Sequence, residues 1–545
     1  MTDAIDRGRG DLAGWLDNQP DNFYEADALL GRLVEGAGLG AVREAALCEF
    51  GAVAAGPLDA AVQENNRVAN LPALDAWDAI GRPTAGFAHH PSYHRAGELI
   101  YGSRIMAAYA DQPNPHRFIL SLFYLSSHVG EGGHNCPVAC TAGAIRALQS
   151  LGNAEQRARY LPGLLNPVYG QHLAGAQFLT EVQGGSDVGA NACLASPTDD
   201  GGWSIRGEKW FCSSADADLF VLTARPDGAA DGTAGLGLFL APRLRGGAPN
   251  GFVIRRLKDK LGTRTMVTAE MDLDDLRAES MGPVEDGFRN TMELVIDTSR
   301  LYNAFGCAGL AHRAWLVARG YAEHRRAFGQ PIADYPLVQE TLARSLADAE
   351  ASLAGSFWLA EMQERADAGA ASAAERAFLR MGLNLNKVRT ALLCHDAINR
   401  SLEILGGNGT IETFSVIPRL LRDNVVFENW EGTHHTLRMQ VFRDAARLGL
   451  HEGFFAVLGQ RLGGDPRIAE RLEAERADFE RCLVEKDTLR LRRVCDRLGT
   501  WLHLGGLREV DSCPVRARAE LTARIHLTGD LDGPDYPDLI ARCHG

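Results

Sequence analysis

The hydrophobic pattern of this chain changes period twice, and this change most constrains its fold. Between about residues 174 and 283, short runs rich in β-forming residues alternate with turn clusters, which predicts a compact antiparallel sandwich or barrel. On either side, apolar residues recur at helical spacing, as in the stripe that begins Val338, Leu342, Leu346. The sequence therefore predicts a multi-domain, mainly α-helical chain with a central β domain.

Boundaries follow from where the period changes. The segments are an N-terminal α-helical domain at 1–173, the β domain at 174–284, a helical bundle at 285–447 and an appended helical domain at 448–545. The expected strands are 203–212, 218–224, 235–240, 252–257 and 267–273.

Composition excludes several classes of protein. With 46% hydrophobic and 23% charged residues, the chain has an ordinary soluble composition. Its net charge of −14 gives no global attraction to nucleic acid or anionic membrane. No stretch has the pattern of a transmembrane span or a signal peptide. The eleven scattered Cys fit reduced thiols in the cytoplasm, and no Cys or His spacing predicts a metal site.

One loop, at residues 429–435 (Asn-Trp-Glu-Gly-Thr-His-His), has the composition of a catalytic loop. A carboxylate beside an aromatic side chain, followed by a glycine turn and a Thr suited to cap the next helix, can aim Glu431 into a pocket. Taken alone, a surface carboxylate in a loop explains the same residues.

Four further stretches suit a phosphorylated, planar ligand. Gly184-Gly185, between the hydroxyls of Thr180 and Ser186, permits close backbone approach to an anion or flat ring. Trp210 can wall a planar cofactor, and Arg325 at a helix end suits a pyrophosphate. Gly406-Gly407 is either a turn or a phosphate cradle. Each also has a structural interpretation, as a turn, a core aromatic or a helix-end cation.

The order of these stretches is informative. The chain contains, in sequence, Thr-Glu-x-x-Gly-Gly-Ser-Asp-Val, Lys-Trp, Lys-Leu-Gly, Arg-Arg-x-Phe-Gly-x-Pro-Ile, Leu-Gly-Gly-Asn-Gly and Trp-Glu-Gly-Thr. Over about residues 80–446 this set resembles the acyl-CoA dehydrogenase flavoprotein family. The segments 183–188, 207–213, 256–262 and 87–94, with the appended domain, most resemble its AidB-like branch.

The resemblance implies an N-terminal α domain, a β-barrel and a four-helix bundle that share FAD, in a homotetramer. It implies an FAD-dependent oxidoreductase acting on an acyl-CoA or acyl-like substrate, with Glu431 as the catalytic base. The second position that the family uses for this base is Ser299 here, which cannot serve. The implied FAD contacts are Gln177, Leu179, Thr180, Gly185, Ser186, Trp210, Phe211, Cys212, Ser213, Arg325, Ala327, Phe328, Glu403, Gly406, Gly407, Trp430, Thr433 and His435. The implied substrate contacts are Ser186, Asp297, Arg300 and Gly432.

Departures from the family pattern keep two other functions open. His434 and His435 replace a small Ser and a Gln, and Glu403 and Pro336 stand where Gln is common. One alternative is a DNA-associated flavoprotein that protects against or repairs alkylation damage, as proposed for the AidB-like branch. Residues 451–545 carry 15 Lys and Arg against 17 Asp and Glu, whereas a phosphate-binding domain should be basic. The other alternative is a flavoprotein scaffold with little turnover.

Overall fold

A computed structural model of the chain describes residues 2–130 and 132–544. Packing divides the chain into two compact units. The first unit comprises Met1–Pro57, Pro115–Gly130 and Asn303–Gly545, and the second comprises Leu58–Asn114 and Glu131–Tyr302. The division into four domains at 173, 284 and 447 stays a sequence prediction.

The elements alternate as the hydrophobic periods predict. The α-helices are α1 (Thr2–Asp17), α2 (Ala28–Gly36), α3 (Ala41–Val53), α4 (Asp59–Asn65), α5 (Pro91–Gly102), α6 (His116–Ser127), α7 (Gly132–Leu151), α8 (Ala154–Leu164), α9 (Gly287–Asn290), α10 (Asp297–His324), α11 (Pro336–Asp367), α12 (Ala373–Leu405), α13 (Ile417–Asn429), α14 (His434–Leu448), α15 (Leu450–Leu462), α16 (Pro466–Glu485), α17 (Thr488–Leu507), α18 (Cys513–Ala523) and α19 (Tyr536–Cys543). The strands are β1 (Ala73–Trp77), β2 (Pro83–Ala88), β3 (Gly175–Phe178), β4 (Leu194–Pro197), β5 (Trp203–Ser213), β6 (Leu219–Pro226), β7 (Gly237–Pro242), β8 (Leu244–Arg245), β9 (Ala248–Pro249), β10 (Phe252–Leu257), β11 (Thr268–Ser280), β12 (Arg326–Ala327) and β13 (Gln330–Pro331).

The second unit contains a closed β-barrel, which confirms the predicted fold class. Its ring runs β11-β5-β4-β6-β7 and returns to β11, while β10 pairs with β11 and β3 pairs with β6. An odd number of strands cannot alternate direction around a closed ring, so one neighbouring pair must be parallel. That pair is β4 with β6, and β3 also pairs parallel with β6. The expectation of a purely antiparallel sheet was therefore wrong.

A β-hairpin interrupts the N-terminal region, which the sequence predicts to be helical. Strands β1 and β2 pair antiparallel, and a turn at 78–82 joins them. The Asp78 carboxylate closes this turn by accepting hydrogen bonds from the amides of Ile80 and Arg82 at 3.0 and 2.9 Å. The short alternation around this Asp turn is the signal that a search for helical periods overlooks.

Long helices of the bundle form the core of the first unit. On α11 the predicted apolar stripe is buried, as at Leu342, Leu346 and Leu353. Helix α12 packs along α11; of the appended domain, α17 packs against both of these helices and α15 packs against α12. Helix α6 is buried over almost its whole length and packs against α2, α3 and α11. The helical bundle and the appended helices therefore share one core.

One helical stretch, Ala41–Asn65, is long and apolar enough to cross a membrane, with a mean hydropathy of 1.4. The expectation that no stretch reaches this length was wrong, because a π-helical turn joins α3 to α4. Core helices of soluble proteins pass the same test. Among the described residues no group of three or more His, Cys, Asp or Glu is placed to hold a metal ion, and all eleven cysteines are free.

Candidate functional site

The predicted site residues fall into two groups, one in each unit. In the second unit, the chain leaving β3 forms a tight turn in which Glu181 and Gly184 exchange backbone hydrogen bonds at 3.2 and 3.1 Å. A Cβ on Gly184 would lie 2.5 Å from the Asp187 carbonyl, and one on Gly185 would lie 3.1 Å from the Thr180 methyl. Gly185 and Ser186 are exposed, so the turn presents its amides and hydroxyls to solvent.

A buried ion pair anchors this turn. The Lys209 ammonium lies 2.7 Å from the Glu181 carboxylate, and both side chains are almost completely buried. Lys209 also donates to the Thr223 carbonyl at 2.8 Å, while Glu181 accepts from the Ala192 amide at 2.6 Å. Burial opposes ionisation of Glu181, but the adjacent ammonium outweighs it and lowers the pKa of this carboxyl. Lys209 and Glu181 are 28 residues apart, and nothing in the local sequence around either one indicates that they are partners.

Strand β5 carries the aromatic part of this group. The Trp210 amide donates to the Thr180 carbonyl at 2.9 Å, so a backbone hydrogen bond joins the turn to strand β5. The Lys258 ammonium lies 3.5 Å from the centre of the Trp210 ring and 4.5 Å from that of Phe211. Phe211 is 47% exposed, whereas Cys212 is buried. Trp210 and Phe211 therefore have a cation on one side and are suited to contact a flat ligand.

Gln177 and Ser299 lie within hydrogen-bonding distance of each other, at 3.1 to 3.2 Å. Ser299 thus fixes the Gln177 amide instead of providing a base. Near it, Arg300 is buried and donates to the Asp297 carboxylate at 3.0 Å. The two predicted substrate residues on α10 are therefore partners of each other.

In the first unit, Glu431 lies in the loop between α13 and α14. Its φ is +58°, and that of Gly432 is +107°. The left-handed region costs a non-glycine residue roughly 1–3 kcal/mol and persists only where neighbouring contacts impose it. Thr433 is the N-cap of α14, as predicted, and its hydroxyl oxygen accepts from the Thr436 amide at 3.4 Å. Trp430 packs on Phe427, with ring centres 5.0 Å apart.

Two sets of contacts hold this loop. The fully buried Lys387 on α12 donates to the carbonyls of Glu428 and Gly432 at 2.7 and 3.0 Å. The Glu428 carboxylate lies 2.9 Å from His395 Nδ1 and 3.4 Å from His434 Nε2. Burial opposes ionisation of Glu428, but the bond from His434 and the nearby His395 lower its pKa. His434, a departure from the family pattern, is therefore a partner of Glu428.

Three predicted residues lie at a small hairpin after α10. Strands β12 and β13 pair antiparallel, Arg325 accepts from the Ile332 amide through its carbonyl at 2.8 Å, and Tyr335 donates to the Ala327 carbonyl at 3.0 Å. At the tip, Phe328 has a φ of +53° and is 98% exposed. The hairpin presents an aromatic ring to solvent on a tightly hydrogen-bonded support.

The last predicted group closes α12. Glu403, Gly406 and Gly407 are exposed. Gly406 has a φ of +58°, and its amide donates to the Glu403 carbonyl. The adjacent Asn408 donates to the Tyr321 hydroxyl at 3.2 Å. Within the first unit, the predicted residues thus occupy three separate loops, and His435 is exposed on the first turn of α14.

The arginines that a DNA-binding appended domain would need are largely paired. Arg490 forms an ion pair with Asp478, and Arg516 with Asp511. Arg518 is buried in an ion pair with Glu350 of α11. Arg492 and Arg493 are exposed. Arg518 is therefore withdrawn from any anion, whereas Arg492, Arg493 and the Arg516 of an exposed pair remain at the surface.

Three family descriptions match the chain. Residues 17–171 match the N-terminal domain of the adaptive response protein AidB. Residues 176–276 match the middle domain of acyl-CoA dehydrogenases, and residues 285–446 match their C-terminal domain.

Individual proteins are similar over most of the chain. Acyl-CoA dehydrogenase family member 11 of Caenorhabditis elegans is 30% identical over 447 residues, 78% of this chain and 72% of that protein. The putative acyl-CoA dehydrogenase AidB of Escherichia coli is 30% identical over 432 residues, 76% of this chain and 77% of that protein. The crystal structure of Caenorhabditis elegans ACDH-11 in complex with C11-CoA has a TM-score of 0.82 and 24% identity, and the match covers 95% of this chain and 94% of that chain. The chain belongs to the acyl-CoA dehydrogenase family, in its AidB-like branch.

Proposed function

We propose that this protein is an FAD-dependent oxidoreductase that removes the α-proton of an acyl-CoA, or a similar acyl substrate, with Glu431. The observation that carries the proposal is the loop itself. Glu431 has a left-handed backbone between two helices, and the carbonyls of Glu428 and Gly432 on either side of it are bound by one buried ammonium. A structure that imposes strain on one carboxylate is typical of a functional position.

Several of the predicted residues fit parts of FAD chemically. The turn at Gly185 and Ser186 offers amides and a hydroxyl, as a flavin edge and phosphates require. Trp210 provides a flat aromatic surface on which part of a flavin ring could stack. Directly before the hairpin, the half-buried Arg325 supplies a cation suited to a pyrophosphate. In the homotetramer that we propose, Arg325 and Phe328 would serve the FAD of a neighbouring copy.

The chemistry divides between the residues and the cofactor. When bound, FAD supplies N5 as the acceptor for a hydride from the β-carbon of the substrate. Glu431 takes the α-proton, so the electron pair of that C–H bond forms the new C=C bond as the hydride leaves. Hydrogen bonds to the thioester carbonyl stabilise the negative charge that develops there. Gly432 has no side chain, which leaves space for the acyl chain beside Glu431.

Substitution of the base tests this role. Glu431→Gln keeps the volume of the side chain but cannot accept a proton, so we expect FAD to stay bound while its 450 nm band is no longer bleached by acyl-CoAs under anaerobic conditions. Glu452→Gln, the same change at an exposed position of α15, is the control and should bleach like the wild type. Equal bleaching of Glu431→Gln and wild type would contradict the role, and a wild-type protein without flavin would contradict the whole proposal.

The same preparation tests the DNA-associated alternative. The appended domain should contribute little phosphate binding, because its acidic residues outnumber its basic ones and Arg490 and Arg518 are already paired with carboxylates. We expect weak duplex binding that disappears by physiological salt. Tight binding with a steep salt dependence, and no bleaching by a panel of acyl-CoAs, would favour the DNA-associated function. We propose a cytoplasmic location, consistent with the eleven free thiols.

A further inference from the structure

One buried lysine bridges the two ends of the Glu431 loop. Lys387 has no exposed surface, and its ammonium donates to the carbonyls of Glu428 and Gly432 at 2.7 and 3.0 Å. These carbonyls enclose residues 429–431, so one cation fixes both the entry to and the exit from the position that carries the carboxylate.

The location of this cation suits the end of a helix. Glu428 lies in the last turn of α13, which ends at Asn429. Carbonyls in the last turn of a helix lack partners within the helix and carry partial negative charge. A buried ammonium there is stabilised by the carbonyls and satisfies them in turn. Without the Lys387 ammonium, the carbonyls on either side of Glu431 lose their shared hydrogen-bond donor, and the left-handed backbone of Glu431 loses this support.

The appended domain reaches the residue next to this lysine. Asn386 Oδ1 lies 2.8 Å from His503 Nε2 of α17, and Asn386 Nδ2 donates to the Ser356 hydroxyl at 2.9 Å. His503 is fully buried, and burial lowers its pKa to about 3, so it is a neutral partner across the physiological range. A Cβ on Gly355 would lie 2.5 Å from the His503 ring, so the histidine contacts α11 closely as well.

The same helix of the appended domain also holds α14. Asp496 of α17 forms an ion pair with the buried Arg438 of α14. Arg438 lies little more than one helical turn after Thr433, the N-cap of α14. Helix α17 therefore contacts both helices that determine the loop: α12, which carries Lys387, and α14, which begins where the loop ends.

We propose that Lys387 is the positioning residue for Glu431, and that the appended domain supports it through the Asn386–His503 contact. The expected effect of Lys387 on turnover rests on the proposed function, whereas its effect on the structure of the loop does not. It gives the appended domain a role in the oxidoreductase site that requires no nucleic acid.

Hydrogen–deuterium exchange of the flavin-loaded, full-length protein tests the structural part without any substrate. In Lys387→Met, which keeps the length of the side chain but not its charge, we expect amides in the peptide covering 429–436 to exchange at least tenfold faster. Arg400→Met is the matched control, because it removes another α12 cation whose ion pair is with the buried Asp348 of α11 and not with the loop carbonyls. The control should leave exchange at 429–436 unchanged. If Lys387→Met does not fold, Lys387→Gln, which retains an uncharged N–H donor group, should still exchange faster at 429–436 than the wild type.

Turnover separates positioning from general destabilisation. For Lys387→Met we expect kcat to fall at least tenfold, with KM and flavin content within twofold of the wild type. For His503→Leu we expect smaller changes in the same directions: exchange at 429–436 about threefold faster and kcat about threefold lower.

The outcomes distinguish this inference from the proposed function. Unchanged exchange at 429–436 in Lys387→Met and Lys387→Gln would overturn the role of Lys387, whatever the activity. Faster exchange in His503→Leu at the loop supports the role of the appended domain, and unchanged exchange there overturns that part. A wild-type flavin that no acyl-CoA bleaches would refute the proposed function, while the exchange result still decides whether Lys387 holds the loop.

Discussion

The buried pair of Lys209 and Glu181 allows a prediction with an unusual pH dependence. In the wild type, the ammonium lies 2.7 Å from the carboxylate, and both side chains are excluded from solvent. Replacing Lys209 with Met preserves much of the volume but leaves Glu181 as a buried charge without its cation. Breaking a buried pair in this way costs about 3–5 kcal/mol of the free energy of unfolding. For a cooperative unit of this size, about 2–4 °C of melting temperature corresponds to each kcal/mol, so the barrel should melt roughly 6–20 °C lower.

The size of this loss should depend on pH in a direction set by the pKa of Glu181. In the wild type the folded-state pKa lies below its ordinary value, so the stabilisation is present above the unfolded pKa and is lost only as the pH falls through the lowered value. In Lys209→Met, burial acts with much less opposition and raises the folded-state pKa. Stability of the variant is then highest below the unfolded pKa and declines as the pH rises through the raised one. The deficit relative to wild type should therefore be larger at pH 8 than at pH 5.

Thermal unfolding followed by circular dichroism at pH 5 and pH 8 measures both effects. The double variant Lys209→Met with Glu181→Gln is the matched control, because it removes the charge that the single variant leaves unpaired. We expect it to recover part of the stability at pH 8 and to lose the pH dependence of the single variant. A single variant that melts like the wild type at pH 8, or whose deficit grows towards pH 5, would refute this reasoning.

Three further outcomes follow from individual contacts. Thr433→Ala should cost at most about 1 kcal/mol in denaturant unfolding, because it removes the N-cap of α14, and an unchanged midpoint would show that the cap contributes nothing. Phe328→Ser should lower both the order of the oligomer in sedimentation velocity and the retained flavin, because the ring is 98% exposed on its hairpin; an unchanged assembly would contradict its role between copies. Burial raises the pKa of Glu350 to about 7 despite its pairing with Arg518. Because the folded-state pKa is raised, the contribution of Glu350 to the free energy of unfolding is fully present below about pH 4.5 and is lost as the pH rises through about 7. The melting temperature of Glu350→Gln should therefore fall less than that of the wild type between pH 6 and pH 8, and parallel curves would contradict this.

Local pattern was sufficient for five strands of the β domain and for the loops that carry the candidate site, but it did not predict the β1–β2 hairpin. Each of the five expected strands overlaps an observed one, because β-forming runs between turn clusters differ clearly from helical stripes. The N-cap at Thr433 follows from its position before an amphipathic segment. The role of Glu431 and the FAD contacts remain predictions, since they came from the order of the motifs.

The residues that hold the site were not predictable in the same way. Lys209 lies 28 residues from Glu181, and Lys387 lies 41 residues from Glu428. In the sequence, a lysine that will be buried cannot be distinguished from a surface lysine. The neighbouring residues do not indicate the distant carbonyl or carboxylate that it binds in the folded protein. The pairing of Arg518 with Glu350 is likewise a contact between distant segments, so a count of charges in the appended domain could not show which arginines are already paired.

The order of the segments along the chain has a consequence for synthesis. All residues of the second unit precede Asn303, whereas the first unit needs residues from both ends and the short stretch Pro115–Gly130 between them. Helix α6 in that stretch buries nearly all its side chains against α2, α3 and α11, and α11 is translated more than two hundred residues later. At roughly 5–20 residues per second, α6 leaves the ribosome on the order of 10–40 s before its main partner. During that interval its apolar face must be covered by chaperones or by transient contacts, so slower synthesis after residue 302 should increase aggregation of the nascent chain.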